Sequence, residues 1–501
     1  MTRCMTTMIG GSALTALIAM AAVMTLPATA AETWVLNSQE DWTQQAAGMS
    51  NMEVKDGSLA ATAEAGTFRS AVKEFTEKRS LKSIVFEQIP DWQNWTPVAA
   101  VGPSNLGDAP IFLALGPGDY WMFGRYKGMK KPAGFQPKPA KLEGFDVELQ
   151  TTPDPHQYTA SGGLEPNLGG YHAWQSRDML NWVHHGNVTE SFSVWATTAE
   201  YADGKLYIYY DYPNDQDPHL YIDDDLTDGK PGKNMGLAFA DPSDGSDCGI
   251  IRDLQGRFHI IYEDWSPINA SKHAWDSPLG GHAVSEDGIR DFKILPPAVD
   301  ERTEPTGETA TYRHPHWKQH PDWDTNIAEY QVHKPEQNAF GDWAAICVGG
   351  QYYLFCDFHP ANGPMGVGWF TSEDINKPFR RVGKIGRGHP DPDIGFAEGR
   401  FYLITQTEQD FTSPGPWVEK VEARVGVDTT GDKQIDTWTD WTEVKETYDH
   451  TEGFAKQIKK VPASMDLSDL PAGHAVQFEL RTTQTTENGV LPVVDRVVLE
   501  Y

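Results

Sequence analysis

Apolar and polar positions along this chain fall into short runs joined by Gly-containing turns. An apolar strand, a turn and an aromatic-rich strand recur at "PIFLALGPGDYWMFGRY" (110–126), "TAEYADGKLYIYYDY" (198–212), "GIIRDLQGRFHIIYED" (249–264), "WAAICVGGQYYLFCDF" (343–358) and "GFAEGRFYLITQT" (395–407). Alternation and turn chemistry predict five hairpins. A second element follows several of them, a short strand running into Ser-x-Asp and then another strand: "GGYHAWQSRDMLNW", "GHAVSEDGIRDF" and "GVGWFTSEDINKPF", with "NMGLAFADPSDG" as a looser copy. Asp178, Asp287 and Asp374 in these elements are assigned to turns, because Ser and Asp side chains there bond the local backbone.

The repeat unit is therefore four strands, A-B-turn-C-D, the signature of a propeller blade. Five blades are expected at about 104–190, 191–243, 244–298, 326–386 and 387–425. The long insertions, 127–168, 212–234, 264–280 and 299–341, fall in B-C loops or D-A connections, which share one face. Loops on one face of a rigid scaffold are where function concentrates.

The flanks differ in texture. Segments around "NMEVKDGSLAATAE" and around "WTDWTEVKETY", "AVQFELRTT" and "VVDRVVLEY" read as β-rich, forming one sandwich or two. The expected fold is all-β: a five-bladed β-propeller at 96–425 with β-sandwich-like flanking segments at 31–95 and 426–501.

Residues 1–30 carry one charge, Arg3, then an apolar run and Ala28-Thr29-Ala30, the pattern of a cleaved secretory leader. A secreted or periplasmic protein without a membrane-spanning segment is expected. The net charge of −30 opposes nucleic acid and anionic membranes as partners. Beyond Cys4 the chain has Cys248, Cys347 and Cys356, which make no disulfide framework. A two-residue hairpin at Gly349-Gly350 pairs Cys347 with Tyr352 and leaves Cys356 too far along for a bridge.

Asp108 precedes an otherwise apolar strand, at the top-face start of strand A in blade 1, and Asp247 holds the corresponding place in blade 3. Carboxylates from different blades converging on one axis suit general acid/base work. Blade 1, with "DAPIF", "YWMFGRY" and "QSRDMLNW", and blade 3, with Asp247 and Gly256, resemble the five-bladed glycoside hydrolases of the family-43 arabinanase and xylosidase group and their relatives, including family-117 neoagarobiose hydrolases. The resemblance implies an inverting hydrolase in which Asp108 activates water, Asp247 orients and tunes the acid, and a blade-4 carboxylate protonates the leaving oxygen, with base and acid about 6.5 to 9.5 Å apart. Where the family has Glu this chain has Gly341, so Asp342, Glu336 and His333 all stand as candidates for the acid.

The resemblance also places His389 near a bound cation or the substrate, with Asp391 and Asp393 beside it. No organic cofactor is expected, and a calcium or other cation near the axis is. In "YRHPHWKQHPDW", Arg313, His316 and Trp317 suit sugar binding better than metal ligation, since no carboxylate or Cys joins the histidines at ligand spacing. Trp195 and Arg125 complete the substrate-binding set. Arg125 also heads a basic run with Lys127, Lys130, Lys131, Lys138 and Lys141, either a solvated loop or a subsite for an anionic glycan. "DTTGDKQID" lacks the EF-hand ligand positions and reads as an Asx-capped turn.

The function expected is an exported, exo-acting glycoside hydrolase on an algal or plant poly- or oligosaccharide. The alternatives are a non-catalytic carbohydrate-binding propeller and a polysaccharide lyase.

Overall fold

The computed structural model describes residues 32–89, 92, 95, 102–107, 109–128, 132–161, 169–193, 195–212, 217–241, 245–264, 268–269, 279–300, 305–312, 328–333, 338–360, 363–388, 390–405, 420–484 and 491–501. All five expected hairpins are antiparallel pairs of strands A and B: Ile111–Gly116 with Asp119–Arg125, Trp195–Ala202 with Lys205–Asp211, Gly249–Arg252 with Phe258–Glu263, Ala339–Val348 with Gln351–His359, and Asp393–Ala397 with Arg400–Ile404. Strands C and D complete blades 1 to 4: Tyr171–Ser176 and Trp182–Asn187, Pro218–Asp223 and Lys233–Leu237, Leu279–Ser285 and Lys293–Asp300, and Gly366–Ser372 and Arg380–Ile385. Blade 5 shows strands A and B among the described residues.

The strand A of each blade packs against that of the next, and blade 5 returns to blade 1. Between blades lie five separate apolar cores. Leu113 with Leu206 and Ile208 joins blades 1 and 2; Tyr209 with Ile250 and Ile260 joins 2 and 3. Ile251 and Ile261 with Trp343 join 3 and 4, Phe355 with Ile394 and Leu403 joins 4 and 5, and Tyr402 with Phe112 and Met122 closes the ring. Successive side chains of a strand point to opposite faces, so Phe112 meets blade 5 while Leu113 meets blade 2. With both faces buried, the strands read as near-continuous apolar runs. Two glycines set the closeness of approach: a Cβ on Gly395 would lie 2.0 Å from the Phe112 ring, and one on Gly249 2.4 Å from the Trp343 carbonyl oxygen.

The C-D turns confirm the turn reading of the Ser-x-Asp aspartates. Ser176, Ser285 and Ser372 accept the backbone N–H of Asp178, Asp287 and Asp374, and each Asp in turn accepts N–H groups further on. Blade 2 has the same turn, but not where the sequence pattern put it. Asp223 accepts the N–H of Asp225, and Asp225 that of Thr227. The matching copy is "HLYIDDDLT", which falls in the stretch 212–234 read as an insertion, whereas in "NMGLAFADPSDG" the first residues belong to strand D.

Two other expectations are corrected, and the arrangement of the flanks, left open between one sandwich and two, is resolved. Blade 4 begins at Ala339 rather than 326, because Ala328–His333 pairs with Pro305–Tyr312 in a separate small sheet. The propeller does not run to 425, because Lys420–Asp428 pairs along its length with Gly473–Thr483. The flanks make two sheets in common: Ser83–Gln88 lies between Val493–Glu500 and Ala463–Asp466, and Ala65–Ser70 pairs with Gly473–Thr483. Trp34, Trp42, Phe68 and Phe86 from one end of the chain and Val425, Phe478 and Val497 from the other fill one core. Trp42 sits on a short helix, Gln39–Gln44, started by Ser38, whose hydroxyl accepts the Asp41 N–H at 3.1 Å.

A hairpin joins the two units. Gln457–Val461 pairs antiparallel with Thr447–His450 and runs parallel to strand A of blade 4 at Cys347 and Val348, and the chain then enters the sandwich at Ala463. Lys460 forms a 3.0 Å ion pair with the buried Glu446, which also accepts the Gln88 N–H.

As the hairpin register requires, Cys347 pairs with Tyr352, and Cys248, Cys347 and Cys356 are buried free thiols. Burial pushes the Cys347 thiol up to about 12. The loop at 428–436 is Asx-capped: Asp428 accepts the N–H groups of Thr430, Gly431 and Lys433, and Asp436 accepts that of Thr429. Among the described residues no helix is long and apolar enough to cross a membrane.

Candidate active site

One end of the central axis is acidic, and the acidity is built by a repeated device. Asp247, Asp342 and Asp391, at or near the inner-strand starts of blades 3, 4 and 5, have φ of 46°, 50° and 40°. Left-handed backbone is uncommon for non-glycine residues and is tolerated best by Asp and Asn. Asp342 lies in a register shift between Gly341 and Ala344, the bulge that turns its side chain out of the ladder.

Two of these aspartates are tied to a carboxylate at the end of strand B of the preceding blade. The Asp247 N–H donates to Asp211 Oδ2 at 3.2 Å, and the Asp391 N–H to Asp357 Oδ1 at 2.9 Å. Asp211 and Asp357 are both buried. Between blades 3 and 4 the link is backbone to backbone, Trp343 N–H to Asp247 carbonyl at 3.2 Å. The loop that delivers Asp247 is fixed by Asp217, which accepts the N–H groups of Asp241 and Gly245, and by Tyr262, which donates to Asp241 at 3.0 Å.

Asp342, Asp357 and Asp391 come together so that one carboxylate oxygen from each lies within 4.8 Å of the others. Like charges at this spacing repel, so the group is arranged to accept one positive charge, a proton or a cation. Its all-oxygen donor set fits a hard divalent ion such as calcium.

Asp393 does not join them. It is buried on the axis, where Oδ2 accepts the Phe112 N–H at 2.6 Å and ties blade 5 to the start of blade 1. Burial raises its carboxyl, and Lys456 opposes that rise.

On the rim, Arg125 at the end of strand B in blade 1 stacks its guanidinium 4.8 Å over the ring of Trp195 at the start of strand A in blade 2. Half-buried Trp195 and exposed Arg125 form a flat platform beside the axis. Lys127, Lys138 and Lys141 are exposed in the following insertion.

The structure thus brings Asp342 and Asp391 together near the axis, sets the backbone of Asp247 against that of Trp343, and pairs Arg125 with Trp195. His333 ends the strand Ala328–His333, opposite Pro305, and so is not on the inner strand of blade 4. Asp108, Glu336, Arg313, His316, Trp317 and His389 lie outside the described residues. Asp211 and Asp357 were missed in the sequence. Each lies at or near the end of an aromatic strand, in "YIYYDY" and "YYLFCDF", whereas Asp108 is singled out as an acid before an apolar one.

No protein-family model matches the chain, and no curated protein matches it. Solved structures do resemble it. A thermostable family-43 glycoside hydrolase is 13% identical, covers 75% of this chain and 98% of its own, and has a TM-score of 0.36. An α-L-arabinanase from Cellvibrio cellulosa, solved with arabinohexaose, is 11% identical over 71% of this chain and 96% of its own, at 0.36. An endo-arabinase from Bacteroides thetaiotaomicron is 10% identical over 64% and 95%, at 0.35. The propeller assignment rests on the closed ring of inner strands and the five cores between blades.

Proposed function

We propose that the chain is a glycoside hydrolase working by an inverting, two-carboxylate mechanism at the acidic end of the propeller axis. The observation that carries this reading is the delivery of Asp247, Asp342 and Asp391 to that end by the same left-handed turn in three blades. Asp108 stands at the matching chain position of blade 1 and is assigned as the base. It takes a proton from water as the water oxygen bonds to the anomeric carbon, while the acid gives a proton to the departing glycosidic oxygen.

Asp342 is assigned as the acid. It is half-buried, where the buried Asp357 and Asp391 are not placed to meet a substrate, and their two carboxylates favour a proton on the third. A cation held by the same three groups would supply positive charge to the pocket and would exclude this role, since a ligating carboxylate is ionised. Asp247 orients the acid through its contact with Trp343.

The Arg125–Trp195 platform suits the face of a sugar ring, and the exposed lysines of the same insertion favour an anionic glycan. Insertions confined to one face favour exo action, and the leader favours export. Reducing-sugar release from a panel of algal and plant glycans tests the reading, with absorbance of unsaturated products read in parallel. A non-catalytic binding propeller gives neither signal, and a lyase gives the second.

A further inference from the structure

Among the described residues one aromatic ring is left exposed, that of Phe192, at 42%. A single exposed apolar side chain is ordinary, but the way this one is held is not. It sits on the connection from blade 1 to blade 2, and that connection is pinned from below. The Ser193 N–H donates to the Glu190 carbonyl at 3.0 Å and closes a turn over residues 190–193. Tyr221, fully buried on strand C of blade 2, donates its hydroxyl to Glu190 Oε2 at 2.9 Å and lies 2.9 Å from the buried Ser193 Oγ. One residue before the turn, Thr189 Oγ1 accepts the Tyr171 N–H at 2.8 Å. Phe192 therefore projects from a turn held at both ends, and its exposure is not the by-product of a loose loop.

Its neighbours place it in the site. The Phe192 ring meets that of Tyr212 edge to face, 5.2 Å apart at 63°. Tyr212 packs on the core between blades 1 and 2, and its ring lies 5.7 Å from that of His219. His219 Nδ1 is 3.1 Å from the carbonyl of Asp217, the residue that fixes the loop delivering Asp247. Tyr212 also follows Asp211, the buried acid that accepts the Asp247 N–H, and Asp211 is the cross-strand partner of Trp195. Such partners have Cα atoms about 4.5 to 5.5 Å apart. The Phe192–Tyr212 corner and the Arg125–Trp195 platform thus stand on the same end of one hairpin.

We propose that Phe192 and Tyr212 form a second sugar subsite, taking the ring next in the glycan chain to the one held by the Arg125–Trp195 platform. Two aromatic rings meeting edge to face make a corner that fits the apolar C–H face of a pyranose or furanose, and Tyr212 adds a hydroxyl. Two subsites on one pinned edge give the chain a preference for oligosaccharides of several units over disaccharides. That the occupant is a sugar rests on the glycoside hydrolase reading; that the corner is continuous with the platform does not. A second copy of the chain is a poorer occupant, because a net charge of −30 sets copies to repel one another.

Calorimetric titration of the full chain with disaccharides and hexasaccharides from each glycan of the algal and plant panel tests the subsite. It is done in the Asp342→Asn background, so that turnover does not deplete the ligand. The hexasaccharide of at least one glycan is expected to bind, and Phe192→Ala to weaken it about three- to tenfold. Affinity for the disaccharide is expected to stay within about twofold, and the melting temperature to be unchanged. Phe192→Trp, which keeps a ring on the turn, is expected to retain the hexasaccharide affinity; a role confined to holding the turn would not distinguish ligand lengths. No hexasaccharide binding at all, no loss in Phe192→Ala, or an equal loss at both lengths overturns the proposal. So does a change of oligomeric state in Phe192→Ala by light scattering, which would assign the ring to a contact between copies. If hexasaccharides bind and the wild-type chain cleaves none of them, the hydrolase reading fails while the titration still decides the subsite.

Discussion

The backbone N–H of Asp391 donates to the carboxylate of Asp357 at 2.9 Å, across the boundary between blades 5 and 4. This bond ties a left-handed turn to a buried acid, and Asp247 with Asp211 repeats it between blades 3 and 2. The acidic end of the axis is thus held by the bonds that hold neighbouring blades together.

If Asp342 is the acid, Asp342→Asn keeps the fold and the left-handed backbone while losing the proton. Turnover on a natural glycan is expected to fall about 10²- to 10⁴-fold with an unchanged melting temperature. A substrate with a very good leaving group needs little protonation and is expected to lose much less. Equal losses on both substrates would move the acid elsewhere.

A cation and an acid cannot both occupy Asp342. Dialysis against EDTA is expected to leave kcat within about twofold of the untreated enzyme, one carboxylate keeping its proton as like charges require. A loss reversed by added calcium would reassign Asp342, Asp357 and Asp391 to the ion.

The left-handed turns distinguish Asn from Ala. Asp247→Asn is expected to be tolerated, whereas Asp247→Ala, forced to the same φ of 46°, is expected to cost about 1–2 kcal/mol. Urea unfolding midpoints measure the difference. Equal midpoints would mean that the backbone relaxes there at no cost.

Two histidine pairs link stability to pH. His172 Nδ1 lies 2.9 Å from His184 Nε2, and His259 Nδ1 2.9 Å from His282 Nε2. Burial first, and the neighbouring histidine second, lower both His184 and His282 to about 3. The unfolded chain binds protons at these sites from about 6.5, the folded chain from about 3. Their stabilisation is therefore present above pH 6.5 and lost as pH falls through that window, by up to about 1.4 kcal/mol per pH unit for each histidine. Asp223, raised to about 6 by burial, acts oppositely between 3.8 and 6. The difference between wild type and His184→Gln isolates the histidine: unfolding midpoints from pH 7.5 to 4.5 should fall less steeply in the variant. Parallel curves would contradict the assignment.

Trp195→Ala removes the ring beneath Arg125 and with it the rim platform. KM is expected to rise about five- to thirtyfold, from a stacking loss of about 1–2 kcal/mol, with kcat changed less. An effect on kcat alone would place Trp195 at the reacting bond.

The blades were legible because each hairpin is local: alternation and a Gly turn specify it within about fifteen residues. Strand C of blade 2 was hidden because Asp223 replaces the serine of the other three turns and acidic, Gly-rich sequence surrounds it. The shared sandwich was illegible for a different reason. Arg69 and Glu479 meet in a 2.5 Å ion pair although 410 residues separate them, and no local pattern reports such a partner. At the site, the acidic starts of inner strands were readable, while Asp211 and Asp357, which end outgoing strands, become visible only when neighbouring blades are set side by side.

The strand Thr33–Leu36 pairs residue for residue with Val497–Glu500. During synthesis, the sheet begun by the first of these segments waits for the last, with the whole propeller made in between. Such sequence separation slows folding. The propeller therefore has time to close before the sandwich, and the hairpin that joins the two units reaches strand A of blade 4 only after every strand of the ring has left the ribosome.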